Sequence, residues 1–412
     1  MGAVIDENST GVTDTVRSVT TYLVDSGTTK NWLFVQLRTE NGLVGWGECY
    51  TAPDREGAVR AIAARLADHL IGASIFDIRR FTHMAYQDAA TKRGSMELFC
   101  AVSGLEQALW DVVGKTLGQP IYNLLGGAVH DRVRVYANGW SFDAGGGLGA
   151  QDDVLDAAEG LVASGFDALK FDPFPGPWCP YPTKQDVAAG VELVGALRGR
   201  LGPSVDLLVE GHRRFAPSVA SSVARQLEQF EPFWFEEPVP SSNLAGLSEV
   251  RAGTTIPIVT GEDLYTTAGF REALERRVVD IINPDVCNCG GILELTNIAA
   301  MAEATMVAVS PHNYNSMSVG LASTVQASAT MPTFLITEYF VNFAGRSADI
   351  SASAPIMVRD GYVELDGRPG HGVDLDEEAL RFAEGEPVRR SFGLSKPLGT
   401  RRAAASPITA GW

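Results

Sequence analysis

From Val133 onward the chain repeats one pattern eight times, a short apolar run followed by a stretch with helical spacing. The runs are VRVYANG (133–139), ALKF (168–171), VDLLVE (205–210), FWFEEP (233–238), IPIVTGE (256–262), DIINPD (280–285), MVAVSPH (306–312) and FLITEYF (334–340). Strands that alternate with helices build a parallel sheet covered by those helices. Eight of them in about 210 residues have the strand number and length of a (β/α)8-type barrel, of modified (β/α)7β form if the last helix is irregular. Such a barrel uses only part of the 412 residues, so a second, smaller domain is expected beside it.

The two ends of the chain supply that domain. Residues 14–51 read as antiparallel strands, TVRSVTTYLV, NWLFVQLRT and LVGWGECY, the last two joined at Asn41-Gly42. Helical segments follow at roughly 55–73, 76–90 and 95–117, the third opened by a Ser cap and closed by Gly118. Near the other end, IMVRDGYVEL reads as a hairpin about Asp360-Gly361 that returns to complete the N-terminal sheet. The expected division is an α+β capping domain at 1–128, the barrel at 129–345 and a C-terminal segment, 346–412, returning to the cap.

Charge and cysteine content narrow the function. The net charge of −17 carries no basic run, which argues against nucleic acid and anionic membrane as partners. Five cysteines are an odd number, and Cys287-Asn288-Cys289 is too tight for the usual metal or redox spacings. They read as reduced thiols of a cytoplasmic protein. No apolar run reaches the roughly 18 residues of a spanning helix, and MGAVIDENST resembles neither a secretory leader nor a myristoylation signal. The Gly-rich GGGLGA (145–150) sits between a strand and a helix but fits a dinucleotide fingerprint poorly.

In a (β/α)8 barrel the chemistry stands at the C-terminal ends of the strands. Glu210, Glu236 and Glu262 stand there on three successive runs, spaced by 26 residues twice. Three converging carboxylates repel one another and raise each other's pKa. A divalent cation relieves that repulsion, and three hard oxygen donors suit Mg²⁺ better than Zn²⁺. Each Glu alone reads equally well as a helix cap or an Arg partner. Asp285 ends the sixth run and His312 the seventh, a pairing in which the carboxylate fixes one imidazole nitrogen and leaves the other to take a proton. Asn313 and Asn315 add polar contacts, and Glu338 on the eighth run faces the same mouth. In VEGHRRF, Glu210 and His212 share one face if the strand persists to its end.

The ordered set WFEEP, TGED, INPDVCNCGGILE, SPHN and SGLEQALWDVVGKTLGQPIYNLLGG resembles the enolase superfamily, in its mandelate-racemase-like branch of acid-sugar dehydratases. The likeness runs over nearly the whole chain. It implies a Mg²⁺ ion, one per active site, on Glu210, Glu236 and Glu262, with Asp285 and His312 as the base dyad. His212 matches the histidine by which galactonate- and mannonate-dehydratase-like members help a hydroxyl leave. Glu338 matches an acidic position that hydrogen-bonds the substrate carboxylate or enolate. The resemblance also implies a small-molecule sugar acid held between barrel and cap, and a homo-oligomer, dimer or octamer.

Two departures bear on the activity. Glu210 stands where those dehydratases usually offer Asp, and Lys170-Phe171-Asp172 lacks the second lysine of the Lys-x-Lys racemases. Lys170 either neutralises an enolate oxygen or pairs with a metal-ligating Glu. The long segment DPFPGPWCPYPTKQD after it is read as a pocket wall, with Asp172 and Trp178 as substrate contacts and Arg213 or Arg214 on distal hydroxyls; the cap loops around 26–32 and 51–56 close from above. The reaction expected is α-proton abstraction and loss of water to give a 2-keto-3-deoxy acid. An epimerase or cycloisomerase with His312 and His212 as opposed groups is the rival within the fold. A metal-dependent amidohydrolase would need a His-x-His pair that VRVYANG lacks, and a non-catalytic sugar-acid binder would not need both carboxylate triad and dyad.

Overall fold

A run of alternating side chains bounded by Asn41-Gly42 dictates a meander, and the computed structural model has one. It describes residues 13–27, 30–52, 54–89, 94–142, 148–174, 179–314 and 316–384. Strands β1 (Val16–Asp25), β2 (Asn31–Thr39) and β3 (Val44–Cys49) pair antiparallel in that order. Helix Met96–Leu117 starts at Ser95, whose Oγ accepts from Leu98 N at 3.3 Å, and stops at Gly118 with φ 63°. It lies so close to β3 that a Cβ on Gly47 would stand 1.8 Å from the Gly104 carbonyl oxygen. The segment expected at 76–90 divides into helix Ile78–His83 and a π-helical turn, Met84–Ala89.

All eight barrel runs are strands: β4 (Arg132–Asn138), β5 (Ala168–Phe171), β6 (Asp206–Glu210), β7 (Trp234–Glu236), β8 (Ile258–Thr260), β9 (Ile281–Ile282), β10 (Ala308–Val309) and β11 (Thr337–Phe340). They pair parallel in chain order from β4 to β10, and β11 pairs parallel with β4. The ring returns on itself because Val309 N donates to Thr333 O and Leu335 N donates to Val309 O, beside β11. Tyr136, Ala168, Leu208, Trp234, Val259, Ile281 and Ile336 fill the interior, with Tyr136 and Trp234 edge to face at 5.5 Å. Side chains two residues further on point the same way. Asn138, Lys170, Glu210, Glu236 and Glu338 therefore stand directly above that apolar floor.

The C-terminal hairpin pairs differently from the expectation. Strands β12 (Val358–Arg359) and β13 (Tyr362–Glu364) form it, and β13 pairs antiparallel with Arg132 to Arg134 of β4, not with the N-terminal sheet. That stretch of β4 precedes its register with β5, which begins at Ala137, and its backbone groups need partners. A helix, Glu377–Glu384, is what reaches the meander: Glu377 accepts from Tyr22 Oη at 3.2 Å and Gln36 Nε2 at 3.3 Å and pairs with Arg38. All five cysteines are free thiols, and no helix among the described residues is long and apolar enough to cross a membrane.

Two buried carboxylates fix the N-terminal unit over the barrel mouth. Glu106 accepts from Ile292 N at 2.7 Å, Leu293 N at 2.9 Å and Trp110 Nε1 at 2.7 Å. Glu48 accepts from Ser316 Oγ at 2.9 Å and Gly320 N at 2.8 Å. Each carboxylate meets the N-terminus of a barrel helix, where unpaired N–H groups and the helix dipole favour negative charge. Glu106→Ala leaves the buried Ile292 N–H, the partly buried Leu293 N–H and an indole N–H without their acceptor. It should lower the unfolding free energy by about 3 kcal/mol, read as a lower urea midpoint with unchanged far-ultraviolet circular dichroism.

Candidate active site

The strand ends bring three carboxylates together. One oxygen from each of Glu210, Glu236 and Glu262 lies within 4.8 Å of the others, and the first two residues are fully buried. Among the described residues Glu210 Oε2 and Glu236 Oε2 have no hydrogen-bond partner, although Lys170 Nζ stands 3.5 Å from the former, and unpaired buried anionic oxygens are costly. Burial and repulsion from Glu210 push the Glu236 carboxyl upward. Oxygen-only donors, close approach and two orphaned oxygens fit a hard divalent cation. Glu236→Gln should weaken Mg²⁺ binding at least ~10-fold by titration calorimetry, since even partners behind a metal ligand are worth that much.

Fixed cations already flank the triad. Lys170 Nζ lies 2.8 Å from Glu236, 3.1 Å from Glu338 and 3.5 Å from Glu210. Burial opposes its charge, but these carboxylates hold Lys170 well above the usual lysine value. Arg213 Nη1 is 2.5 Å from Glu262 and 3.4 Å from Glu237. Its guanidinium is thus placed on the triad. Asn283 Nδ2 donates to Glu236 at 2.9 Å.

Across the mouth, Asp285 Oδ2 lies 2.8 Å from His312 Nδ1, and an isolated parallel bridge joins the two residues' backbones. His312 Nε2 is 3.1 Å from Glu262 and 3.5 Å from Glu338. Burial alone would discharge this imidazole; Glu262 and Glu338 outweigh it and raise its pKa well above the ordinary value. Glu338 is held below the usual carboxylate range: burial works against its charge, and Lys170 and His312 overcome it. Its Oε1 accepts from Asn138 Nδ2 at 2.6 Å and its Oε2 from Asn313 N at 3.0 Å.

His212 reaches the mouth by a different route from the one its spacing suggests. Strand β6 ends at Glu210, and His212 and Arg213 both adopt left-handed backbone, φ 47° and 60°. Two such residues in sequence cost on the order of 1–3 kcal/mol each and are kept where function fixes the geometry. The turn lets His212 N donate to Glu210 Oε1 at 2.6 Å and sets Nδ1 2.7 Å from Asp172 Oδ2. Arg214 also pairs with Asp172. Burial lowers the His212 pKa, but Glu210 and Asp172 more than compensate, leaving it above the ordinary histidine value.

Asp172 is therefore placed as the partner of His212, a relation sequence alone did not suggest, although its i+2 offset from Lys170 put it at the right rim. Asn313 spends its side chain internally: Nδ2 donates to Ser316 O and Glu338 O, and Oδ1 accepts from Thr324. Trp178 and Asn315 lie outside the described residues. Missed altogether were Asn138, Asn283 and the cap residue Lys30, whose ammonium lies 3.7 Å from the Tyr50 ring centre and 3.6 Å from that of Tyr314.

The site thus combines an eight-stranded α/β barrel under an α+β cap with an acidic triad able to hold a metal ion and an Asp-backed histidine at the mouth. Residues 10–126 match the mandelate racemase / muconate lactonizing enzyme N-terminal domain, and residues 153–379 the enolase C-terminal domain-like family. The chain belongs to the mandelate racemase/muconate lactonizing enzyme family of the enolase superfamily. It is 34% identical to a D-gluconate dehydratase of Thermoproteus tenax over 88% of this chain and 71% of that protein. It is 33% identical to a D-galactonate dehydratase of Ralstonia pickettii, over 84% and 89% of the two chains. A mandelate racemase/muconate lactonizing enzyme structure from Jannaschia sp. CCS1 superposes with TM-score 0.85 at 30% identity, covering 91% of this chain and 99% of that one.

Proposed function

We propose that the protein is a Mg²⁺-dependent dehydratase of an acid sugar, an aldonate or aldarate, converting it to a 2-keto-3-deoxy acid by α-proton abstraction and loss of the β-hydroxyl as water. The observation that carries this reading is the second Asp-backed histidine. Asp172 and His212 put a proton donor beside the acidic triad, and Asp285 and His312 put a proton acceptor on the opposed side: β6 and β10 are four strands apart in a ring of eight. Relatives named as gluconate and galactonate dehydratases support it.

Glu210, Glu236 and Glu262 would hold the cation, which when bound supplies positive charge to the substrate carboxylate and takes up the charge of three glutamates. The proton work belongs to the chain itself. Asp285 orients His312 through Nδ1; Glu262 and Glu338 favour the charged imidazole when no cation is bound, and a cation held by Glu262 would offset that charge and free Nε2 to take the proton α to the carboxylate. His212, whose pKa Glu210 and Asp172 raise above the ordinary histidine value, gives its proton to the departing hydroxyl. Glu338, held ionised, has no proton to donate to a carboxylate; its role here is to orient Lys170 and lie against His312 Nε2. Lys170 neutralises the inner side of the triad.

The opposed histidines also suit an epimerase, so the test must separate the two. Mg²⁺-loaded protein is incubated in D₂O with C5 and C6 aldonic and aldaric acids. Keto product supports the dehydratase, deuterium exchange at C2 without keto product supports the epimerase, and silence across the library rejects the substrate class.

A further inference from the structure

Asp285 and His312 come from different strand ends, and each is followed by a loop that the cap touches. Glu48, on cap strand β3 and 2% exposed, meets both loops. Its carboxylate takes the one after His312: Oε1 accepts from Ser316 Oγ at 2.9 Å and Oε2 from Gly320 N at 2.8 Å. Ser316 O in turn accepts at 2.6 Å from Nδ2 of Asn313, the chain neighbour of His312. The backbone of Glu48 takes the loop after Asp285. Its N donates to Gln107 Oε1 at 3.2 Å and its O accepts at 3.0 Å from Gln107 Nε2, which also donates to Val286 O at 3.3 Å. Two residues along, Tyr50 N donates to Cys287 O at 3.0 Å, and Cys287 N donates to Asp285 Oδ1 at 2.7 Å.

Stability alone does not call for a carboxylate at this place. Burial pushes the Glu48 carboxyl up to about 7 against the pull of its two hydrogen bonds; Asp285, a second buried anion, adds to the push, and Lys30 opposes it. Docking of the cap is already served by Glu106, which holds the start of helix Ile292–Thr305. An unfavourable buried charge that docking does not require points to a functional reason for its retention. Proton transfer supplies one. Reacting groups have to be held within about 0.5 Å of their productive geometry, and a misplacement of about 1 Å costs about 10²-fold in rate.

Resting on the acid-sugar reading above, we propose that Glu48 is a positioning residue for α-proton abstraction. From the cap it accepts the two hydrogen bonds that seat the His312 loop against the Asp285 loop, and so sets His312 Nε2 at the C2 proton. It acts through His312 and not on the substrate.

The test uses Mg²⁺-loaded wild type, Glu48→Ala, Glu48→Gln and Ser316→Ala, with an acid sugar carrying hydrogen or deuterium at C2. Glu48→Ala should lower kcat ~10–100-fold while KM stays within about 3-fold of wild type. Its C2 isotope effect on kcat should equal or exceed that of the wild type, because abstraction is the step that slows. Ser316→Ala removes one of the two bonds and should show the same change at smaller size. Glu48→Gln keeps an oxygen for Gly320 N and an amide for Ser316 Oγ, and should recover most of the loss. Mg²⁺ should bind one per chain, with affinity in calorimetry within about 3-fold of wild type. Wild-type kcat in Glu48→Ala overturns the assignment, as does a loss carried by KM or Mg²⁺ affinity, or an isotope effect that falls below the wild-type value. If Glu48→Ala does not fold, Ser316→Ala decides under the same criteria. Wild type that exchanges C2 without keto product rejects the dehydratase reading alone, and the variants are then scored on exchange. Wild type that does neither rejects the functional reading and this inference with it.

Discussion

His312→Asn is expected to abolish both 2-keto-3-deoxy product and deuterium incorporation at C2, with activity down ~10³-fold or more and Mg²⁺ binding retained. The size follows from what a positioned general base contributes, about 10²–10⁴-fold, and from the lack of a substitute. Among the described basic groups at the mouth, Lys170 is committed to Glu236, Glu338 and Glu210, Arg213 to Glu262, and His212 to Asp172 on the opposed side. Asn keeps a polar group near Asp285 Oδ2, so the buried carboxylate is not left bare and the fold should survive. Loss of product with exchange still present would mean that another group removes the α-proton, and the assignment of His312 would fail.

The strand ends were readable because period 2 is a rigid code. Once Ala168, Leu208, Trp234 and Ile336 are recognised as inward-facing, Lys170, Glu210, Glu236 and Glu338 must stand above them. Asp285 and His312 were legible for a related reason: both end apolar runs, on neighbouring strands. The same code misled at His212. It assumed an extended chain past Glu210, whereas two left-handed residues turn the backbone there, and nothing in Gly211-His212-Arg213 announces positive φ at non-glycine positions.

Contacts between distant segments were not legible at all. The turn at Asp360-Gly361 specified a hairpin but not its partner, and the free edge that accepts it belongs to β4. Asp172 meets His212 only through the loop after β5, and Lys30 meets Tyr314 only through docking of the N-terminal unit. A lone lysine in a cap loop carries no periodicity to mark it. Burial of its ammonium is a property of the assembled fold.

His212→Asn should separate the two halves of the reaction. Abstraction of the α-proton by His312 does not involve His212, so C2 exchange in D₂O is expected to continue at a rate within about 10-fold of wild type. Release of the β-hydroxyl loses its proton donor, and keto product should fall by ~10²–10³-fold. Asn is tolerated at positive φ, so the turn that sets His212 N on Glu210 Oε1 is kept and the triad is not disturbed. Acids whose leaving group needs no protonation, such as a 3-fluoro analogue, should regain most of the lost rate in the variant. Parallel loss of exchange and product would instead make His212 a holder of Glu210, acting through the metal site. Equal loss on the fluoro analogue would say the same, because a donor to the leaving group has nothing to donate when fluoride departs.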